Sequence, residues 1–255
     1  MAFSAHEVLE HSWIRSKSTY WRWWPVIIVA AIIPLVLQII AGALGGWASS
    51  MDGFGAAILT LLGAIFGIAA ILAGLLMFLG IFRNAYEVSG GGAPSVGRLF
   101  ERTHYWWFAA AFLIYVAMIF VGLFALIIPG LIIAFMLGLY PYALIGGQAG
   151  NGFSALATSW DRISSHFWKY VGLRIVLLGV PIAVVIGVLL ALSVIGGGAA
   201  LGMGFLGDGG AEGILVGILG IAAFVIGVLL YVLAVVFVWV SDATAYRKLA
   251  PEWAS

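Results

Sequence analysis

The chain has 255 residues, 64% of them hydrophobic and 8% charged, with a net charge of +1 and no cysteine. About a quarter of a soluble domain is charged, so this composition belongs to a polytopic membrane protein. It leaves no basic field for nucleic acid, and without cysteine there is no disulfide, thiolate nucleophile or Cys-ligated metal.

From the N-terminus, residues 4–20 are expected to form a short amphipathic stub. Ala5, Val8, Leu9 and Trp13 follow helical spacing, and Ser4 with Glu7 makes a capping box. His6-Glu7-Val8-Leu9-Glu10-His11 imitates a zinc-protease motif, but the second histidine slot, position 10, holds glutamate. A first span follows at 25–47. It is too long for a signal-peptide core of about 7–15 residues, so it is expected to be retained despite Ala41-Gly42-Ala43. A second span is expected at 55–82.

Val96, Leu99, Phe100 and Trp107 mark a second stub at 95–105, before a third span at 106–128. Pro129-Gly130 reads as a turn into a shorter fourth span at 131–147. The third stub, 153–168, carries Phe153, Leu156, Trp160, Ile163 and Phe167, and spans at 170–195 and 214–240 complete the chain around a glycine-rich loop at 196–213. Each span approaches or exceeds the roughly 20 residues that cross a bilayer. The expected fold is a single all-α domain, 1–255: a polytopic six-helix transmembrane bundle of three parallel-orientation hairpins, each preceded by a short amphipathic cytoplasmic helix.

Charge sets the topology. The basic residues are Arg15, Lys17 and Arg22; Arg83, Arg98 and Arg102; Arg162, Lys169 and Arg174; and Arg247 and Lys248. They fall in alternate connecting segments, whereas the other segments carry only Asp52, Asp208 and Glu212. The positive-inside rule places both termini and every cation in the cytoplasm, facing anionic headgroups. With Arg174 counted among those cations, no ionisable side chain is expected at depth, which disfavours proton relays and ion-coupled carriers.

The segment Ser12-Trp13-Ile14-Arg15 with Ser18-Thr19-Tyr20-Trp21-Arg22 recurs in register as Ser159-Trp160-Asp161-Arg162 with Ser165-His166-Phe167-Trp168-Lys169. A weaker copy is Thr103-His104-Tyr105-Trp106. Trp13, Arg15, Trp21, Arg22, His104, Trp106, Trp160, Arg162, His166 and Trp168 are candidate interfacial anchors, because amphipathic rings favour headgroup depth. His104 and His166 lie near Glu101 and Asp161, but Thr19 breaks a three-histidine set, so no metal is assigned. No P-loop, nucleophile elbow or dinucleotide fingerprint is present, and neither a cofactor nor a catalytic residue is assigned.

Gln38, Tyr140, Pro141 and Tyr142 are the polar or kinking residues expected to line a cavity or a helix contact. Pro34, Pro141 and Pro181 are expected to kink spans. Gly42/Gly46, Gly63/Gly67, Gly198/Gly202 and Gly213/Gly217 have the spacing of close helix contacts.

Residues 80–175 carry Phe82-Arg83-Asn84-Ala85, Ala93-Pro94-Ser95, Leu99-Phe100, Ile127-Ile128-Pro129-Gly130, Tyr140-Pro141-Tyr142 and Ser154-Ala155-Leu156 through Ser159-Trp160. This stretch resembles the bacterial integral membrane superfamily of domain of unknown function 975, with YciC-like proteins and the membrane domain attached to glycerophosphoryl diester phosphodiesterases. The resemblance implies six spans in a bacterial inner membrane and assigns no catalytic residue. The chain departs from the pattern in lacking a Lys-rich stub and in its many late glycines.

Two functions are weighed, of which the first is the expected one and the second its alternative. The first is a non-enzymatic scaffold or accessory protein that binds lipids and other membrane proteins, or itself. The second is a transporter or lipid-handling protein for a neutral or amphipathic substrate, with a cavity near Gln38 and Tyr140. A solid core favours the first; a polar cavity favours the second.

Overall fold

The computed structural model describes residues 4–125, 127–206 and 211–249, with side-chain surroundings for all of these except 125, 191–221, 223 and 224. Its elements are α1 (Ala5–Ser49), α2 (Phe54–Ser89), a 3-10 turn (Val96–Phe100), α3 (Tyr105–Ala125), α4 (Ile127–Leu137), α5 (Tyr140–Ile145), α6 (Gly152–Ser164), α7 (Phe167–Leu206) and α8 (Ala211–Lys248). Among the described residues there is no strand. Six stretches are long and apolar enough to cross a membrane: α1, α2, Tyr105–Phe124, Ile127–Ile145, Phe167–Leu190 and Val225–Lys248.

The three expected stubs differ from one another. Ser4 Oγ accepts from Glu7 N at 3.5 Å to start α1, and the helix then runs without a break through Pro25 and Pro34 for 45 residues. At 1.5 Å per residue that is about 68 Å, roughly twice a hydrocarbon core of about 30 Å. The first stub is therefore an extension of the first span. At the second, Gly90, Gly91, Gly92 and Pro94 disfavour helix, and only the five-residue 3-10 turn forms, with Ser95 Oγ accepting from Gly97 N at 3.3 Å. The third is a separate helix, α6. Asn151 and Ser154 cap it reciprocally, at 2.8 and 3.1 Å.

Two expected boundaries move. α4 already begins at Ile127, so Pro129 occupies its first turn, where the missing N–H has no intrahelical acceptor in any case. Gly130 serves packing: a Cβ on Gly122 would lie 2.8 Å from Gly130 Cα, so α3 and α4 touch through bare backbone. The real interruption of the fourth span is at Gly138 and Leu139, between α4 and α5. The expected loop at 196–213 is also too long. α7 stays helical to Leu206 and α8 begins at Ala211, leaving 207–210, with Asp208, outside the described residues.

Side-chain packing is concentrated at one end of the bundle, where the start of α1, the end of α2, α6 and the end of α8 converge. There His11 Nε2 lies 3.2 Å from Ser89 O, Ser12 Oγ donates to Thr244 Oγ1 at 3.1 Å, and Lys248 Nζ pairs with Glu7 Oε2 at 2.8 Å. Trp23, Tyr142, Tyr170 and Tyr246 are among its fully buried side chains. Away from this end, Leu61, Ile68, Phe120, Phe124, Ile186 and Ile226 are exposed. Lipid tails solvate such side chains as well as a protein interior does, so no packing is required there.

The expected glycine contacts hold at one position among those described. Gly63 sits against α1, where a Cβ would be 3.2 Å from Ala41 O, while Gly42, Gly46 and Gly67 have open space. The pairs Gly198/Gly202 and Gly213/Gly217 lie outside the described surroundings.

Ser159 of α6 clamps the interrupted span. Its Oγ donates to Met136 O at 2.8 Å and accepts from Leu139 N at 3.2 Å, joining the two sides of the break. Ser159→Ala leaves both backbone groups buried without that partner and is expected to cost about 2 kcal/mol. A thermal unfolding midpoint in detergent equal to that of the wild type would contradict it.

Candidate functional site: a charged cavity beside an interrupted helix

Arg174 lies seven residues past the start of α7, about 10 Å along its axis. Its Nη1 meets Asp242 Oδ2 of α8 at 3.0 Å, and its Nε donates to the Tyr170 hydroxyl at 2.8 Å. The two side chains are 16% and 5% exposed. Buried charges of this kind are costly unless each offsets the other and their hydrogen-bonding atoms are satisfied. Here satisfaction is incomplete, because Asp242 Oδ1 has no hydrogen-bond partner among the described residues.

The pair borders a cavity of about 250 Å³. Gly138, Tyr140 and Pro141 line it from the interruption between α4 and α5, and Tyr115 lines it from α3. Phe78, Phe82, Phe112 and Trp239 complete an aromatic wall. The interruption makes this wall possible, since a continuous helix through Gly138 would aim Tyr140 and Pro141 elsewhere. Nearby tyrosine hydroxyls are already committed to backbone: Tyr115 donates to Ala134 O at 3.1 Å, and Tyr142 to Trp239 O at 2.9 Å. The charged groups on the cavity wall are those of Arg174 and Asp242.

Of the four cavity candidates, Tyr140 and Pro141 line this space. Tyr142 is fully buried but packs to one side, its ring edge-on to Phe82 at 5.4 Å and tilted against Tyr246 at 6.1 Å. Gln38 does not belong to the site: it is exposed on α1. The inward face of that helix runs through Val26, Ala30 and Ile33, and residue 38 is off the i, i+3, i+4 path they set. Pro34 and Pro181 lie within unbroken helices, whereas Pro141 stands in the first turn of α5.

Arg174 and Asp242 were missed. Arg174 counts by its sign among the cytoplasmic cations although it stands inside the apolar run 170–195, and Asp242 follows the last run by two residues. The available signal was their sign: a cation at the start of one span and an anion at the end of the next come level when the two helices run antiparallel.

The anchor candidates divide. Trp21, Trp106 and Trp168 are 72%, 71% and 80% exposed, and each is edge-on to the preceding Tyr20, Tyr105 or Phe167 ring at 5.1–5.2 Å. Trp13 and Trp160 are also exposed, while Ser12 and Ser159, one residue earlier, are both fully buried. Arg22 is exposed and Arg15 half-buried, its guanidinium beside Gly91. Arg162 departs from the expectation. It turns inward, donating to Gln148 Oε1 and lying over the Tyr246 ring at 4.2 Å, so its charge is held by protein. Tyr246 donates to the same Gln148 oxygen.

His104 holds φ +59° in the linker before α3 and lines a second, polar cavity with Arg83, Arg98 and Glu101. His166 Nδ1 lies 2.9 Å from Ser165 Oγ. Among the described residues there is no group of three His, Cys, Asp or Glu side chains able to hold a metal ion.

No protein-family model, curated protein or solved structure matches the chain.

Proposed function

We propose that this is a lipid-handling membrane protein that takes the polar end of an amphipathic molecule into the Arg174–Asp242 cavity. One observation carries the proposal: an incompletely satisfied ion pair, nearly sealed from solvent, on the wall of a cavity beside an interrupted helix. Ionisable groups at depth mark binding or conduction paths in membrane proteins, and interrupted spans are where transporters hold polar cargo. A scaffold has no need of either.

The topology that goes with this role has both termini in the cytoplasm of a bacterial inner membrane. The convergent packed end carries Arg15, Arg83, Arg162 and Arg247, and the positive-inside rule assigns that end to the cytoplasm. In this arrangement α1 with α2, α3 with α4 and α5, and α7 with α8 are three hairpins of one orientation. Two of their entry points, at Ser12-Trp13 and Ser159-Trp160, repeat a buried serine and an exposed tryptophan, which supports an internal repeat. The cavity then opens near the cytoplasmic leaflet, and the exposed tryptophans sit at headgroup depth.

Native mass spectrometry of the chain extracted in mild detergent tests the role. The expected result is one retained lipid per chain, lost when Arg174 and Asp242 are replaced together by Met and Leu. A reproducible protein partner with no retained lipid would favour the scaffold reading, in which the bundle binds other membrane proteins or itself.

A further inference from the structure

Resting on that lipid-handling role, we infer that the cavity selects a net-neutral zwitterion whose cationic end is a primary ammonium and whose anionic end is a phosphate. The walls already hold one positive and one negative charge, so the site is neutral before anything enters it. A guest of net charge would bring an uncompensated ion into a space where the pair itself is 16% and 5% exposed, a costly transfer. A zwitterion brings both signs and leaves the sum unchanged.

The free valences specify its ends. On Asp242, Oδ2 takes Arg174 and Oδ1 has no donor among the described residues, so the carboxylate keeps an unfilled acceptor for one more N–H. A primary ammonium has three N–H donors, while a quaternary ammonium has none. On Arg174, Nε serves Tyr170 and Nη1 serves Asp242, leaving Nη2, which lies beside Gly138 at the cavity wall. An unengaged guanidinium nitrogen is a phosphate donor. A volume of about 250 Å³ admits a headgroup and excludes acyl chains. An ethanolamine phosphodiester meets every requirement, and it has two sources: a phospholipid headgroup, or a free glycerophosphodiester.

The test uses the full-length chain in nanodiscs containing equal amounts of ethanolamine, choline and glycerol phospholipids, with bound lipid read by native mass spectrometry. Ethanolamine lipid is expected to be retained about tenfold over the other two, the equivalent of one good hydrogen bond. Adding soluble glycerophosphoethanolamine separates the sources: displacement of the lipid assigns the site to the free diester, and no displacement assigns it to the membrane lipid. Gly138→Ala would put a Cβ 3.0 Å from Ala134 O and 3.1 Å from Arg174 Nη2 without removing a charge, and is expected to lower retention about tenfold. Asp242→Asn should abolish the preference for ethanolamine over choline. If that variant does not fold, the wild-type preference still decides. Equal retention of the three headgroups overturns the zwitterion inference and leaves the lipid-handling role standing; no retained lipid or diester overturns both.

Discussion

Asp242→Ala is expected to destabilise the protein by about 3–5 kcal/mol, because it strands the Arg174 guanidinium between α7 and α8 with the Tyr170 hydroxyl as its one remaining hydrogen-bond partner among the described residues. Most of that loss reflects the charge left behind. Converting both partners to apolar residues of similar volume, Arg174→Met with Asp242→Leu, should therefore recover stability to near wild type, since the desolvation cost of both ions disappears with their attraction. The chain would then be folded and unable to hold a polar guest. Unfolding in mixed micelles, followed by loss of helical circular dichroism, measures the three variants. A double variant as unstable as the single one would mean that the pair holds the fold together for its own sake, and the case for a binding site would lose its physical basis.

That outcome bears on why a buried pair sits here at all. Helices α7 and α8 have apolar surfaces that lipid accommodates along much of their length, with Ile175, Ile186, Leu189 and Ile226 exposed. An apolar pair at 174 and 242 would pack at least as well, by the same physics that makes the double variant stable. A purely structural contact would need neither a carboxylate oxygen without a hydrogen-bond partner among the described residues nor a cavity lined by both members of the pair.

The six spans were legible because about 20 apolar residues in a row have few alternatives to crossing a bilayer. Tyr140 and Pro141 were legible as well, since a proline between tyrosines is unusual inside an apolar run. Most of what failed concerned how helices meet. The small-residue spacing at Gly42 and Gly46 is indistinguishable in one dimension from that at contacting glycines, yet α1 turns both into open space. Gln38 stands out in the sequence for its polarity, but a single amide does not reveal which face of α1 looks inward. Arg162 reads as a lipid anchor because it stands beside an apolar run, while its inward partners Gln148 and Tyr246, the latter 84 residues away, are not legible from the sequence. The Arg174–Asp242 pair is the same case with larger consequences. Each residue alone looks like an ordinary span end, and only the antiparallel docking of α7 on α8 makes them a site.

Arg83 shows how far a residue first counted only as a topogenic charge can be committed to the fold. It is buried at the end of α2, and its two terminal nitrogens donate to Glu101 O and Thr103 O, the carbonyls that lead into α3. Between those carbonyls and the helix stands His104 at φ +59°, a left-handed conformation that costs a non-glycine residue about 1–3 kcal/mol and persists only where the surroundings enforce it. Arg83→Lys keeps the charge but cannot fork onto two carbonyls, and should cost about 3 kcal/mol for the charge-assisted bonds it fails to make. The loss should appear first at the linker. With its clamp gone, the 101–104 segment can relax His104, and the first turn of α3, closed by Tyr105 N to Arg102 O at 3.0 Å and Phe108 N to His104 O at 2.8 Å, should open. Hydrogen exchange at those two amides is expected to rise by well over about tenfold, while amides near Tyr170 in α7 stay protected. Unchanged exchange at Tyr105 and Phe108 would show that the linker holds its left-handed turn without Arg83, and that the positive charge at the end of α2 serves orientation alone.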